Sequence, residues 1–316
     1  MTWTLQTERV TEHASERAIE LDEPLDLPLT LRPLYRGRSD PTFKLGPNAA
    51  VRATRAAAGP ATLDLRQVSP NRVVATAWGP GAEAVLEAAP RLLGMGDAIS
   101  GFDPGQHPVV AQLARRLPGL RIGRSEAVFE ALLPAVLEQK VTGGEAFRSF
   151  RGLIQRFGEP APGPHGARGL RLQPAPEILA RLPYYAFHPL GVEARRADVI
   201  RRLAREAPRL EALLAGTADA AASRLVAYPG VGPWTAAEVT LRAFGDPDAV
   251  SVGDFHLPNL VAFALAGEPR ADDARMLELL EPWRGHRARV IRMLESSGLA
   301  APRYGPRMPV RSISAI

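Results

Sequence analysis

The chain contains no cysteine among its 316 residues, which excludes disulfides, thiolate zinc sites and iron–sulfur clusters. Its six histidines lack the spacing of a metalloprotease helix. No apolar run reaches the roughly 18 residues that a membrane span needs. The acidic first residues have no apolar segment of the signal-peptide kind. We therefore expect a cytoplasmic, intracellular protein with no metal, no cofactor and no membrane partner.

Lysine is nearly missing, since Lys44 and Lys140 are the only two and arginine supplies the other basic side chains. The net charge of +5 is unevenly distributed. Residues 1–30 hold seven acidic and two basic side chains, a charge of −5, which leaves +10 for the rest. A basic body favours a polyanion such as nucleic acid as partner. An arginine-rich composition without a binding role is the alternative.

The composition, 46% hydrophobic and 23% charged, is that of a folded protein with two or three domains. Alternation of apolar and polar residues over 50–54, 62–66 and 73–78 predicts an antiparallel meander, and 82–93 has helical spacing. From about residue 105 the pattern is helical. We thus predict an α+β protein with four parts: an acidic, loosely ordered N-terminus (1–24), an antiparallel β-rich subdomain (25–115), a mostly helical domain (116–300) and a C-terminal tail (301–316).

Several helices have recognisable boundaries or faces. Ser125 is predicted as the N-cap of a helix that buries Val128 and Leu132. The arginines of a helix over 193–214, Arg196 included, are assigned to a solvated face. The remaining predicted helices cover 143–157, 219–227, 234–244, 256–265, 271–280 and 286–297.

A glycine-containing turn joins two of these helices, with the sequence YPGVGPWTA over residues 228–236. Glycine permits a positive φ and leaves N–H groups uncovered, and Pro233 suits a first helical turn. Such a turn can bind an anion, for example a DNA phosphate. A dinucleotide-binding turn is excluded because its glycines follow a strand. A plain connection between helices is the alternative.

This hairpin, together with an aspartate twenty positions after its tryptophan (254 − 234), resembles the helix-hairpin-helix DNA glycosylase superfamily, and in particular its DNA-3-methyladenine glycosylase II branch. The segment VGDFHL over 252–257 carries that aspartate. Similar landmarks are AVLEQ (135–139), LG (190–191), RA (196–197) and EPWR (281–284). The resemblance covers about residues 120–300 and extends more weakly over the β-rich part.

The resemblance implies a hydrolase that rotates a damaged base out of double-stranded DNA and cuts its glycosidic bond. It assigns the cut to Asp254, whose carboxylate would stabilise positive charge on the sugar. A simple helix cap is the alternative for this residue. Bifunctional relatives carry a lysine where this chain has Trp234, so water is the expected nucleophile. The DNA contacts implied are Pro229, Gly230, Val231, Gly232, Thr235, Gln139 and Lys140.

The expected base pocket departs from this family. Glu238 stands where an aromatic side chain is expected, which leaves the substrate class open. Tyr184 and Tyr185 are candidates for aromatic surface beside Trp234, with a core role as the alternative. Lys140 stands where relatives carry an apolar wedge, and its long stem can fill the space that a flipped base leaves. A surface lysine is the alternative there.

We therefore predict a monomeric, nucleoid-associated, monofunctional enzyme of base excision repair that acts on damaged, alkylated bases. The first alternative is a non-catalytic helix-hairpin-helix module that binds DNA or lesions without cutting. Asp254 argues against it, because a carboxylate weakens phosphate binding. The second is a helical scaffold that binds acidic proteins through arginine, against which the hairpin glycines argue.

Overall fold

The computed structural model describes residues 14–302, so most of the predicted tail (301–316) and the first thirteen residues lie outside the described part. The loose order expected over 1–24 is wrong for residues 15–20, which form an edge strand. Ile19 is the one fully buried side chain of this strand. Its pairing therefore depends on backbone hydrogen bonds, which an apolar pattern does not reveal.

Five strands form one antiparallel sheet in the described residues, in the order β1-β5-β4-β3-β2. Strands β3 to β5 are the predicted meander, and the short β2 and the strand β1 add to its two edges. The strand bounds are β1 (Ser15–Glu20), β2 (Phe43–Leu45), β3 (Ala49–Ala56), β4 (Gly59–Ser69) and β5 (Arg72–Trp78).

The remaining described chain is mostly helical. None of its helices combines the length and the apolar character that crossing a bilayer requires. The helix bounds in residues 14–302 are α1 (Leu27–Leu31), α2 (Ala82–Leu92), α3 (Pro108–Arg116), α4 (Val128–Leu137), α5 (Gly143–Phe157), α6 (Pro164–Ala167), α7 (Pro176–Arg181), α8 (Tyr184–Phe187), α9 (Ala194–Arg205), α10 (Ala207–Glu211), α11 (Ala218–Leu225), α12 (Pro233–Val239), α13 (Leu257–Ala266), α14 (Asp273–Leu280) and α15 (Arg287–Ser296).

Three larger apolar cores organise these elements. The sheet buries one face against α2. A central bundle is built from α4, α5, α9 and α12, and a third core joins α3 to α13, α14 and α15. Helix α3, which we placed in the β-rich part, therefore shares its apolar contacts with the C-terminal helices. The domain boundaries themselves remain predictions.

The N-terminus of α4 differs from its prediction. The helix begins at Val128, its N-cap residue is Ala127, and Ser125 caps nothing. The carboxylate of Glu211 accepts the N–H groups of Val128 and Phe129 instead, at 3.0 and 2.8 Å. A side chain distant in sequence performs the capping, so the local pattern pointed to the wrong residue.

The solvated face predicted for the α9 arginines is wrong for Arg196, which is 4% exposed. Its guanidinium donates to the carbonyl of Leu137 at 2.7 Å and to that of Gly191 at 3.2 Å. Leu137 ends α4, so the arginine satisfies carbonyl groups that a helix end leaves without intrahelical partners. These hydrogen bonds offset the cost of burying the guanidinium of Arg196. They also connect α9 with the segment that carries Gln139 and Lys140.

Candidate active site

The turn between α11 and α12 has the hairpin form predicted from its glycines, but the two glycines differ. Gly230 has a φ of +92°, and a Cβ there would collide with Val199 of α9. Gly232 has an ordinary φ of −94°, and a Cβ there would meet nothing within 4 Å. Only Gly230 is thus required by the protein's own packing, whereas the space around Gly232 is open.

The same turn exposes backbone donors. Val231, which is buried, donates its N–H to the carbonyl of Tyr228 at 3.0 Å. For the N–H groups of Gly232 and Trp234, residues 14–302 provide no acceptor. Pro229 contributes a carbonyl that accepts from Arg202 at 3.1 Å. Unpaired N–H groups beside an exposed arginine form a local environment suited to an anion.

Gln139 fastens the end of α4 to this turn. Its Nε2 donates to the carbonyl of Gly230 and to Oγ1 of Thr235, both at 2.9 Å. Thr235 is buried, so its side chain cannot reach DNA in this conformation, although a DNA contact was predicted for it. Its hydroxyl instead accepts the bond that positions Gln139. Lys140 follows directly and is exposed with a φ of +55°. A non-glycine residue held in this region carries strain, which is often found at functional sites.

Asp254 lies between Ser251 and the start of α13, with both carboxylate oxygens engaged. Its Oδ1 accepts the N–H groups of His256 at 2.7 Å and Leu257 at 2.9 Å. Its Oδ2 accepts the indole N–H of Trp234 at 3.1 Å. The carboxylate therefore caps α13 and is also held in one orientation by Trp234. The two interpretations of this residue are compatible, because Oδ1 serves as the cap while Oδ2, which accepts one bond, retains a further acceptor site.

A cavity of about 120 Å³ opens beside Asp254, between the central bundle and the third core. Its apolar walls are Leu241, Ala249, Leu257, Leu260, Ala288 and Ile291. Its polar walls are Glu238, Ser251, Asp254, His256, Arg292 and Glu295. The lining contains no phenylalanine, tyrosine or tryptophan, the rings that best stack on a cationic base, and its one aromatic ring is the imidazole of His256.

Glu238, a predicted base-pocket residue, lines this cavity, but it is not a free carboxylate. Its Oε1 accepts from the hydroxyl of Ser251 at 2.5 Å, and its Oε2 accepts from Arg242 at 2.5 Å. Arg242 is anchored further by the carbonyls of Glu238, at 2.9 Å, and Pro33, at 2.8 Å. The ion pair is 14% exposed on each side, so the carboxylate is fixed and partly accessible.

The structure adds a second partly buried carboxylate, Glu138, which the sequence analysis treated only as part of a motif. Burial raises the pKa of Glu138 above its ordinary value, with Arg36 and Arg242 opposing that rise and the charges of Glu238 and Asp254 adding to it. The guanidinium of Arg36 approaches Glu138 to 3.8 Å. A charged residue directly after the apolar run AVL was the available signal. Glu138 thus connects the end of α4 electrostatically to the pocket.

The two predicted tyrosines are not brought to this cavity. Tyr184 is 37% and Tyr185 77% exposed on α8, and neither lines the pocket. Phe187, in contrast, is fully buried in the central bundle. The exposed aromatic closest in sequence to Asp254 is Phe255, at 85%. In the described residues no group of three or more histidine, aspartate or glutamate side chains is arranged to hold a metal ion.

Comparison with known proteins places this geometry in context. No protein-family model matches the chain. Over 158 residues, half of this chain and 30% of the relative, it is 35% identical to a probable bifunctional transcriptional activator/DNA repair enzyme AlkA of Mycobacterium tuberculosis. Over 187 residues, 56% of this chain and 61% of the relative, it is 27% identical to DNA-3-methyladenine glycosylase 2 of Escherichia coli. The aligned part is therefore less than two thirds of either relative.

Among solved structures, a 3-methyladenine DNA-glycosylase from Archaeoglobus fulgidus superimposes with a TM-score of 0.74. The superposition covers 88% of this chain and 96% of that one, at 20% sequence identity. This similarity establishes a shared fold, and it includes the β-rich part, where the sequence resemblance is weak.

Proposed function

We propose that this chain, which has the fold of the helix-hairpin-helix DNA glycosylases, is a monofunctional DNA glycosylase that excises damaged bases from double-stranded DNA. One observation carries the proposal: Asp254 is held by Trp234 at the wall of a cavity, in the loop just before α13, and Trp234 belongs to the helix that follows a hairpin with uncovered N–H groups. The names of its relatives favour alkylated purines as substrates. We expect it to act as a monomer in base excision repair.

In this proposal the damaged base leaves the duplex and enters the cavity, which places the sugar next to Asp254. Loss of the base builds positive charge on the sugar. A carboxylate already oriented by three donors stabilises that charge without reorganising and can direct a water molecule at the sugar carbon. The bond to the base breaks, water supplies hydroxide to the sugar, and the base takes the remaining proton.

Water is the nucleophile in this scheme because the position that would carry an amine holds Trp234. An indole cannot form a Schiff base with the opened sugar. Of the two lysines in the chain, Lys44 donates to the carbonyl of Asp40 at 2.6 Å in the β-rich part. We assign Lys140, at its exposed and strained position after Gln139, to filling the gap in the duplex.

The hairpin supplies affinity without sequence preference, since phosphate contacts position a protein but read no bases. Gln139 couples this contact to the wedge, because it bonds the hairpin through Gly230 and directly precedes Lys140. A non-catalytic DNA-binding module is the less favoured alternative, since phosphate binding needs neither the cavity nor the oriented Asp254.

The test is single-turnover excision by wild type and Asp254→Asn on duplexes that each carry one lesion. Asparagine keeps the size but loses the charge, and we expect a rate loss on the order of 10²-fold or more. Affinity for lesion DNA at fixed salt should change little, because the charge matters mainly in the transition state.

A matched control separates catalysis from helix capping. Asp272 caps α14 by accepting the N–H of Arg275 at 2.9 Å and lies outside the cavity lining. Asp272→Asn makes the same chemical change at another cap and should leave excision unaffected. Equal rates for wild type and Asp254→Asn on every lesion would remove the catalytic assignment.

A further inference from the structure

The wall of the cavity beside Asp254 is charged where stacking rings would be expected, and it includes both a carboxylate acceptor and a guanidinium donor. Glu238 of α12 and Arg292 of α15 both line it. With the imidazole of His256 as the one aromatic ring in its lining, this pocket gains little from stacking. It discriminates between bases through hydrogen bonds to their edges, because a buried polar group left without its partner is costly.

Glu238 is a rigid acceptor. Ser251 holds one of its oxygens and Arg242 the other, both at 2.5 Å, and Arg242 is itself anchored to the carbonyl of Pro33. Two fixed oxygens, each with a further lone pair, form a bidentate acceptor. Such an acceptor fits two N–H donors that lie side by side on one edge of a planar ring.

The geometry points to damaged guanines as the preferred substrates of this pocket, with Glu238 accepting the N1–H and 2-amino hydrogens of the flipped base. Guanine presents these two donors adjacent to each other. Adenine presents a lone pair at N1, which a carboxylate repels, and hypoxanthine lacks the 2-amino group. The inference rests on the proposed glycosylase function and names which purine edge the site selects.

Arg292 adds a donor to the lining of the same cavity. One guanidinium nitrogen bonds Glu295 at 2.6 Å and another donates to the carbonyl of Leu29 at 3.3 Å. A guanidinium has five N–H donors, so these bonds do not exhaust it. Guanine carries the acceptor O6 next to N1–H, so a fixed acceptor and a donor in one pocket match the order of groups along its edge.

A general attraction of carboxylates for cationic bases is the competing explanation, and it predicts a different result. It would favour every cationic purine equally, whichever hydrogen-bond donors and acceptors the base carries. The informative comparison is therefore between 7-methylguanine and 7-methylhypoxanthine, which share the cationic leaving group and differ in the 2-amino group alone.

We would measure single-turnover excision of both bases, each opposite cytosine, in slightly acidic buffer that keeps N1 protonated. Wild type should release 7-methylguanine about 10- to 100-fold faster, the effect of one hydrogen bond to a charged group. Glu238→Gln should bring the two rates to within about threefold, because the amide replaces one acceptor by a donor. It should slow 7-methylguanine release while changing 7-methylhypoxanthine release little, and the latter rate shows that the variant is folded.

Glu281→Gln is the matched control, since Glu281 forms an exposed pair with Arg284 and lies outside the cavity lining. Its preference should equal that of wild type. Equal wild-type rates on the two bases, or an equal fall of both rates in Glu238→Gln, would overturn the guanine-edge proposal and leave the glycosylase function intact.

If wild type releases neither base, the proposed function fails for these lesions, and the edge proposal is tested by binding instead. Duplexes with 2′-fluoro-arabino forms of the two nucleotides resist cleavage. Tighter binding of the guanine form by wild type, lost in Glu238→Gln, would support the proposal, and equal binding would refute it.

Discussion

The two glycines of the hairpin turn should respond in opposite ways to the same replacement by valine. Gly230→Val should destabilise the fold, whereas Gly232→Val should leave the fold intact and weaken DNA binding. The structural reason is that a side chain at Gly230 points into Val199 at a positive φ, while a side chain at Gly232 enters open space at an ordinary φ.

The cost at Gly230 has two parts. A left-handed backbone costs a side-chain-bearing residue roughly 1–2 kcal/mol. Forcing additional atoms against a buried neighbour costs about 1–3 kcal/mol more, and Val199 is 2% exposed. The sum, on the order of 2–5 kcal/mol, corresponds to a melting temperature lower by roughly 4–10 °C in a domain of this size.

At Gly232 the expected change in stability is within about 1 kcal/mol, as for substitutions away from packing constraints. If a phosphate approaches the uncovered N–H groups of the turn, the valine side chain competes for its space. Losing a backbone contact of this kind should weaken binding to damaged and undamaged duplexes alike, by about tenfold.

The assays are thermal unfolding followed by circular dichroism, and anisotropy titration with labelled duplexes at one salt concentration. A Gly230→Val/Val199→Ala double variant tests the steric part, since removing the methyl groups of Val199 should make the double variant less destabilised than the two single effects added. Unchanged DNA affinity in Gly232→Val would refute the assignment of this turn to phosphate binding, and an unchanged melting temperature in Gly230→Val would refute the packing argument.

Three further outcomes are expected. Borohydride should trap no covalent complex during excision, because Trp234 replaces the amine, and a trapped species that Lys140→Ala abolishes would make Lys140 a nucleophile. Lys140→Gly should raise the free energy of unfolding by about 0.5–1 kcal/mol, because glycine adopts the positive φ of this position without strain. The same variant should excise bases from duplex DNA more slowly, and a rate equal to that of wild type would contradict the wedge role. Burial opposes ionisation of Asp248, but hydrogen bonds from Arg287 and Gly285 outweigh it and lower its pKa below the ordinary value. The contribution of the Asp248 carboxylate to stability is therefore present above about pH 4 and lost on further acidification. Asp248→Asn should destabilise the protein at neutral pH and weaken the dependence of its unfolding free energy on pH in the acidic range. An unaltered pH dependence would contradict this assignment.

Much of the scaffold could be predicted because it follows from periodicity. The meander strands β3 to β5 and helix α5 lie where alternation and helical spacing placed them, since side-chain direction along a strand or helix is a local property. Strand β1 was not predicted, because an edge strand can pair through its backbone alone and needs no alternating apolar pattern. The cap at Ser125 failed because Glu211, far away in sequence, supplies the acceptor.

The site followed the same division. Gly230 was identifiable from the glycine-containing turn, and Trp234 and Asp254 from the resemblance to the glycosylase superfamily. The structure joins the last two by a direct hydrogen bond. The tyrosines at 184 and 185 could not be placed, because composition says which residues suit a pocket but not which helix faces it.

The sequence by itself therefore determined the order of the elements, the hairpin and the aspartate that follows it. Only the tertiary structure decided the chemistry of the cavity. Glu238 is an isolated acid in the sequence, but in the fold Ser251 and Arg242 hold both of its oxygens, and Arg292 from α15 reaches the same cavity. Hydrogen bonds and ion pairs depend on distances of a few ångströms between elements far apart in the chain, and those distances exist only once the two helical cores have packed together.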